Sequence, residues 1–382
     1  MNRRNTLKVI GGAPIFAALS QGAGCAQTDF GAIARAPWSG PSTSEVDPRR
    51  RALSYAILAP NPHNMQPWLV KLVAENTINV QIDPTRLLPA TDPYGRQILL
   101  GCGAFLELMT IGASQDGLRV DIDYWPDGLP GKKLDGRVFA RATLVRDETI
   151  KPDPLFGQIL RRRTNRNAHD PKRPVPREAL TSLVGGLKNP LIRGAFADDA
   201  DRQKWRNLVW RAMKLELETP ATNLESIEVM RFGIAQSAQS PWGVLLDFPG
   251  VSALNGLGIM TRKTLLDSNS WAFKEGLKTL QAKSISETSF IWLMSKDNSR
   301  VTQLEAGRAY ARMNLQATAL GLAMQPWSQA LQEFPEMSPL YAQAQSMTAS
   351  RPDAPLQMLA AIGYAADAAA APRRPLKDLI TG

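Results

Sequence analysis

Apolar positions recur along the chain at two spacings, and where the spacing changes the elements change. Asp47 is placed to cap a helix with Pro48 at its first position, and the helical pattern then runs through Arg49, Arg50 and Arg51 to about Leu58. Two alternating stretches follow, W-L-V-K-L-V from Trp68 and I-N-V-Q-I from Ile78, separated by A-E-N-T, the pattern of a hairpin. D-P-Y-G-R-Q at 92–97 interrupts the chain before an apolar helix expected from about Gly103 to Asp116, with Gly117 placed to end it. Further on, D-R-Q-K-W-R-N-L-V-W-R-A-M-K-L-E-L-E reads as a helix with Trp205, Leu208, Val209, Ala212 and Leu215 on one face.

The apolar helix has an echo. Residues 96–118 shifted by 204 onto 300–322 pair Arg96 with Arg300, Leu100 with Leu304, Gly103 with Gly307, Met109 with Met313, Ala113 with Ala317, Gly117 with Gly321 and Leu118 with Leu322. Arg49, Arg50 and Arg51 echo Arg161, Arg162 and Arg163 at an offset of 112. The two offsets differ by 92, which predicts an insertion of that length in the second half, between about Phe196 and Glu287. The inserted segment is apolar in pieces too short to span a membrane, so it must pack on the rest of the chain; it is expected to be a lid over a cleft. The expected division is 1–26 an export leader, 27–46 a linker, 47–150 a first half and 151–382 a second half carrying the lid.

The leader is read from M-N-R-R-N-T-L-K and the uncharged stretch after it. Adjacent Arg3 and Arg4 resemble a twin-arginine signal, which implies export of a folded protein. Cys25 is a candidate lipid anchor and Ala26 a candidate cleavage point, so a periplasmic or membrane-anchored protein is expected. Without the leader, Cys102 is the one remaining thiol, which rules out an intrachain disulfide. His63 and His169, the two histidines, lack the neighbours of a metal site, and no G-x-S-x-G elbow accompanies them. The composition is that of a globular protein, 44% hydrophobic and 21% charged. Its net charge of +10 comes without zinc-ligand spacing or an aromatic-interleaved basic stripe, so nucleic acid is not an expected partner.

Two stretches carry candidate chemistry. A-P-N-P-H-N-M-Q-P-W, Ala59 to Trp68, is a loop fixed by Pro60 and Pro62, whose Asn64 and Gln66 amides can donate and accept at once, suiting the edge of a flat heterocycle. I-L-R-R-R-T-N-R-N sets four arginines and a threonine within six positions at an expected helix start, which suits a phosphate dianion. The first string resembles the A-P-S-x-x-N-x-Q-P-W signature of the nitroreductase family of FMN enzymes, with Asn61 at the usual serine. The second resembles that family's R-R-S-x-R element, with Thr164 for the serine. A-A-I-G-Y and P-R-R-P-L near the end resemble the family's closing strand and basic tail.

The resemblance implies an α+β nitroreductase-like fold. It points to the Acg-type branch, in which two such subunits are fused into an intramolecular pseudo-dimer, here with a helical lid insertion. It implies FMN bound by Asn61, His63, Asn64 and Gln66 from one half and Arg162, Arg163, Thr164 and Arg166 from the other. Arg374, and behind it Arg373, would return to the phosphate, and Pro326 and Ser328 beside the second M-Q-P-W would form a further wall. The flavin would carry the hydride, with no catalytic side chain required and a small conjugated acceptor such as a nitro compound or quinone as substrate. The chain would act as a monomer or a further oligomer. The rival expectation is an exported protein that sequesters flavin without turnover; a weaker one is a binding module that has lost it.

Overall fold

The computed structural model describes residues 28–348 and 355–381. The expected leader, with Arg3, Arg4 and Cys25, lies outside them. The first part of the chain forms α1 (Phe30–Arg35), α2 (Pro48–Ala56), β1 (Trp68–Ala74), β2 (Thr77–Ile82), α3 (Arg96–Ser114), β3 (Leu118–Tyr124) and β4 (Val138–Arg146). Then come α4 (Arg177–Gly185), β5 (Ile192–Phe196), α5 (Arg202–Glu218), α6 (Pro220–Glu228), β6 (Met230–Phe232), α7 (Ile234–Gln239), β7 (Val244–Leu246), α8 (Val251–Gly256), α9 (Arg262–Leu266) and α10 (Trp271–Ser286). The chain closes with β8 (Ser289–Ser295), α11 (Arg300–Ala319), β9 (Ala323–Pro326), α12 (Ser338–Met347) and β10 (Leu356–Gly363). This is an α+β architecture.

Two four-stranded antiparallel sheets share one topology: β1-β2-β4-β3 in the first and β5-β8-β10-β9 in the second, each running first, second, fourth, third. The long helix follows the second strand in each case, so α3 and α11 hold equivalent places. They cross at the molecule's centre. A methyl group on Gly103 would lie 2.8 Å from the Leu304 carbonyl carbon, and one on Gly307 would lie 2.7 Å from that of Leu100. Both contacts join residues matched by the 204 offset, the reciprocal pattern of a two-fold interface. Arg96 repeats it, donating to the Leu331 and Gln357 carbonyls of the second half, while Arg300 donates to the Tyr94 and Lys132 carbonyls of the first. The helices begin seven residues earlier than the pattern at Gly103 predicted, so these glycines mark the crossing and not a helix start; the ends at Gly117 and Gly321 are left-handed as expected.

Residues 197–288 fill the space between β5 and β8, whose counterparts β1 and β2 are joined by a two-residue turn, Glu75 and Asn76. The inserted segment contributes to the core of the second sheet. In β8 the side chains of Ile291 and Leu293 join α4 and α11, whereas Phe290 and Trp292 join Trp205, Leu208, Val209 and Ala212 of α5. The second sheet is therefore covered on both faces, which explains its unbroken apolar strand, while β3 alternates between half-buried and exposed positions. The buried stripe of α5 continues to Glu216, and the expected Leu215 is only half-buried.

Three other expectations are corrected. The segment 27–46 is not a bare linker: α1 and a 3₁₀ turn at Ala36–Ser39 bury Trp38, whose Nε1 donates to the Ala371 carbonyl at 2.8 Å. The arginine run at 161–166 does not open a helix; it leaves a turn at Arg161 without regular structure, and Asn165 N donates to the Met324 carbonyl of β9 at 3.2 Å while its side chain donates to the Ala366 carbonyl. Pro171, Pro174 and Pro176 follow it closely, and the next helix waits until Arg177. The 112 offset is thus a coincidence of composition, since α2 is matched in order by α4. Finally, the C-terminal residues cross over: Ile380 bridges Val70 of β1, so the tail completes the first sheet's edge.

Candidate functional site

The loop after α2 is where the backbone departs furthest from its preferences. His63, Asn64 and Gln66 all hold left-handed φ, 47°, 54° and 52°, each costing about 1 kcal/mol or more for a residue with a side chain. The surroundings hold them there. Asn61 Oδ1 accepts from Gln66 N at 2.8 Å, Met65 N donates to the Pro62 carbonyl at 3.0 Å, and Gly243 N of the insertion donates to the Asn64 carbonyl at 3.0 Å. The Asn64 and Gln66 amides do not present a free edge as expected. Asn64 donates to the Pro372 carbonyl and accepts from Arg373; Gln66, fully buried, donates to the Pro241 carbonyl at 2.8 Å and accepts from Arg374 N at 2.8 Å. These two side chains clamp the tail and the insertion onto the loop.

That clamp brings the arginines together. Arg162 is buried and donates through Nη2 to the Leu58 carbonyl at 2.9 Å and through Nη1 to Asn314 Oδ1 at 3.3 Å. Arg373, also buried, donates to the same Leu58 carbonyl at 3.2 Å and to that of Ala59 at 3.1 Å. Arg163 is half-buried, and all three guanidinium groups pack over the Trp38 ring, at 5.6, 5.4 and 4.6 Å for Arg162, Arg373 and Arg163. Burial lowers the pKa of Arg162 to about 10 and that of Arg373 well below its ordinary value, with the neighbouring arginines adding to both shifts. Among the described residues no carboxylate pairs with Arg162, Arg163 or Arg373. Arg162 Nε and Arg373 Nε are buried without a partner, as is the Tyr310 hydroxyl on α11. Buried cations with unused N–H groups are costly unless an anion completes them.

Arg374 goes elsewhere. Its Nη2 donates to the Asp378 carbonyl at 3.1 Å, and its charge is felt with that of Arg86, which like Arg231 lies over the Trp242 ring of the insertion. The sequence favoured Arg374 over Arg373 for the anion; Arg373 is the one that joins Arg162 and Arg163 over Trp38, while Arg374 Nη1 is likewise buried without a partner.

Arg166 stands in a recess. Its side chain is accessible, yet burial depresses its guanidinium pKa, so protein surrounds it while solvent still reaches it. Tyr310 and Glu216 are its counter-groups, and its charge is also felt by His63 and Lys283. Thr164 is half-buried two residues earlier. Pro326, at the end of β9, and Ser328, half-buried in the turn beyond it, follow the Met324 carbonyl to which Asn165 N of the arginine run donates.

Several lining residues escaped the sequence reading. Trp38 lay in a segment taken as linker. Tyr310 and Glu216 could have been noticed as polar interruptions of buried helix stripes. Ser226, Lys283 and Trp242 are scattered through the insertion and carry no local signal.

No family profile matches this chain. It is 25% identical over 293 residues to "Putative NAD(P)H nitroreductase Rv3131" of Mycobacterium tuberculosis, covering 74% of this chain and 76% of that protein. "Putative NAD(P)H nitroreductase acg" of the same organism is 33% identical over 123 residues, 32% of this chain and 35% of that one. The chain belongs to the nitroreductase family. Among solved structures, the FMN-dependent nitroreductase NfnB of Mycobacterium smegmatis in complex with NADPH aligns with 58% of this chain and 94% of its own at 20% identity, with a TM-score of 0.37. In this nitroreductase-family chain the loop belongs to the part that carries the first sheet and the arginine run to the part that carries the second, so a single set of facing surfaces is built across the centre.

Proposed function

We propose that the chain is an FMN-dependent oxidoreductase that reduces a small conjugated acceptor, a nitro compound or a quinone. The observation that carries this reading is the convergence of Arg162, Arg163 and Arg373, the first and last with an unpartnered Nε–H, beside a strained loop and an accessible recess. The donor set fits a phosphate dianion: fork-shaped, cationic and uncompensated by carboxylates. Arg162 and Arg373 would hold the phosphate with Arg163 and the Thr164 hydroxyl beside it. Arg166, farther into the recess, supplies positive charge where negative charge collects on reduction. FMN bound there would accept and return hydride, which the side chains need only position and tune. Asn64 and Gln66 keep the tail and insertion closed on the loop.

The same reading takes the two sheet-bearing parts as fused subunits, the region 197–288 as a cover as well as a core element, and the leader as a twin-arginine signal that exports the loaded protein. A flavin-sequestering role is the second reading, favoured by the several bonds that hold the insertion against the loop. Purified full-length protein with one tightly held FMN that is reduced chemically and reoxidised by quinones or nitroaromatics supports the first reading; FMN held but inert to every acceptor supports the second.

A further inference from the structure

The apolar stripe of α5 ends on a carboxyl group. Trp205, Leu208, Val209 and Ala212 are buried as a helix packed on a sheet requires, and the next position on that face is Glu216, only 4% exposed. Burying a carboxyl costs several kcal/mol unless it is hydrogen-bonded, and here it is bonded on both oxygens. Gln332 Nε2 donates to Oε2 at 2.8 Å, and Ser226 of α6 donates to Oε1 at 3.2 Å. Ser226 Oγ in turn lies 2.9 Å from His63 Nε2, on the strained loop, while His63 Nε2 and Glu216 Oε1 are 3.8 Å apart. Carboxyl, hydroxyl and imidazole thus form an unbroken chain that starts inside the insertion and ends on the loop that borders the recess. The groups facing Glu216 are Arg166 and Glu225 besides His63, and Arg166 also faces His63.

We propose that this chain is a proton relay through which the insertion supplies the proton for acceptor reduction. The inference rests on the oxidoreductase reading above. A quinone that takes a hydride from reduced FMN must gain one proton to become the hydroquinone. The Glu216 O–H breaks as its proton passes to Ser226 Oγ, the Ser226 proton passes to His63 Nε2, and the proton on His63 Nδ1 passes to the acceptor oxygen, forming its O–H bond. Glu216 is left as the carboxylate and His63 as its Nε2–H tautomer; once the product leaves, a solvent proton taken up at His63 Nδ1 drives the same transfers in reverse, from Nε2 to Ser226 and from Ser226 to Glu216, which restores the starting state. The hydrogen bonds suit both states, because a hydroxyl between an imidazole and a carboxyl can donate in either direction. Burial raises the Glu216 pKa to about 7, so near neutral pH the store is available in both forms, and it lowers that of His63 to about 4, which keeps the imidazole neutral and free to change tautomer. His63 is the catalytic residue of the relay; Glu216 and Ser226 act through it.

The test compares two acceptors on FMN-loaded, full-length protein. Glu216→Gln and Ser226→Ala are reduced with dithionite and reoxidised by benzoquinone, which takes up protons, or by ferricyanide, which takes electrons alone. The relay predicts that quinone reoxidation slows about 100-fold and loses its pH dependence near neutrality, while FMN content and ferricyanide reoxidation match the wild type. Unchanged quinone rates in both variants, or equal slowing with both acceptors, overturn the relay and leave the oxidoreductase reading standing. A wild-type protein without FMN overturns both.

Discussion

Gly103 and Gly307 each face the backbone carbonyl of the residue three positions before the other, Leu304 for Gly103 and Leu100 for Gly307. The two helices approach so closely there that no side chain fits between them. Gly103→Ala and Gly307→Ala should therefore each destabilise the protein by about 3 kcal/mol or more, because a rigid carbonyl and not a flexible side chain must move. Gly276→Ala in α10 is the control: nothing stands within 4 Å of the added methyl, and the change should be neutral or stabilising by up to about 1 kcal/mol. Urea unfolding of the three variants checks this, and equal stabilities would show that the crossing is looser than described.

The arginines should separate by position and not by proximity in sequence. Arg162→Gln and Arg373→Gln should each weaken FMN retention by about 1.5–3 kcal/mol, the value of a lost charge-assisted bond. Arg374→Gln, whose side chain turns toward Arg86 and Asp378, should weaken it less. Equilibrium dialysis of FMN against the variants decides. A larger loss for Arg374 than for Arg373 would restore the order read from sequence.

Trp242 is the tryptophan placed to report on the recess. Gln66 and Asn64 bond the residues on either side of it, whereas Trp205 packs against Phe290 and Trp292 inside the second sheet's far core. FMN uptake should quench an emission component that Trp242→Phe removes and Trp205→Phe does not. Quenching lost only with Trp205 would place the flavin on the other face of the sheet.

The relay groups should leave opposite marks on stability. His63 has a folded pKa near 4, below its ordinary 6.5, so it binds fewer protons folded than unfolded, and its contribution falls as pH drops from about 6.5 to 4. Glu216 has a folded pKa near 7, above its ordinary 4.5, so its contribution is full at low pH and is lost as pH rises from about 4.5 to 7. The two trends oppose each other in the wild type. Glu216→Gln should expose stability rising with pH across that window, and His63→Gln should expose stability falling; parallel slopes in denaturation curves from pH 4 to 7 would contradict the two assignments.

Much of the fold was legible because it repeats. Residues 96–118 and 300–322 carry the same glycines and small residues where their helices cross and end. The site was legible where motif and backbone coincide: prolines and left-handed positions make Ala59–Trp68 a loop in any context. What the sequence could not show is side-chain partnership across hundreds of residues. Asn64 and Gln66 have the chemistry to read a ligand edge, yet the tail and the insertion occupy both. Arg373 and Arg374 are neighbours in the chain, and only the packing of Trp38, from a segment without periodic pattern, decides which of them turns inward. Glu216 was read past because a helix face drawn from apolar residues alone ends before it.

The central claim is that buried arginines from one half and the strained loop of the other enclose an FMN. The direct measurement is the absorption spectrum and FMN stoichiometry of full-length protein, wild type and Arg162→Gln/Arg373→Gln, after gel filtration. One FMN per chain in the wild type and a folded, flavin-free double variant are the expected result. A colourless wild type that refuses added FMN, or a double variant that retains it undiminished, would contradict it.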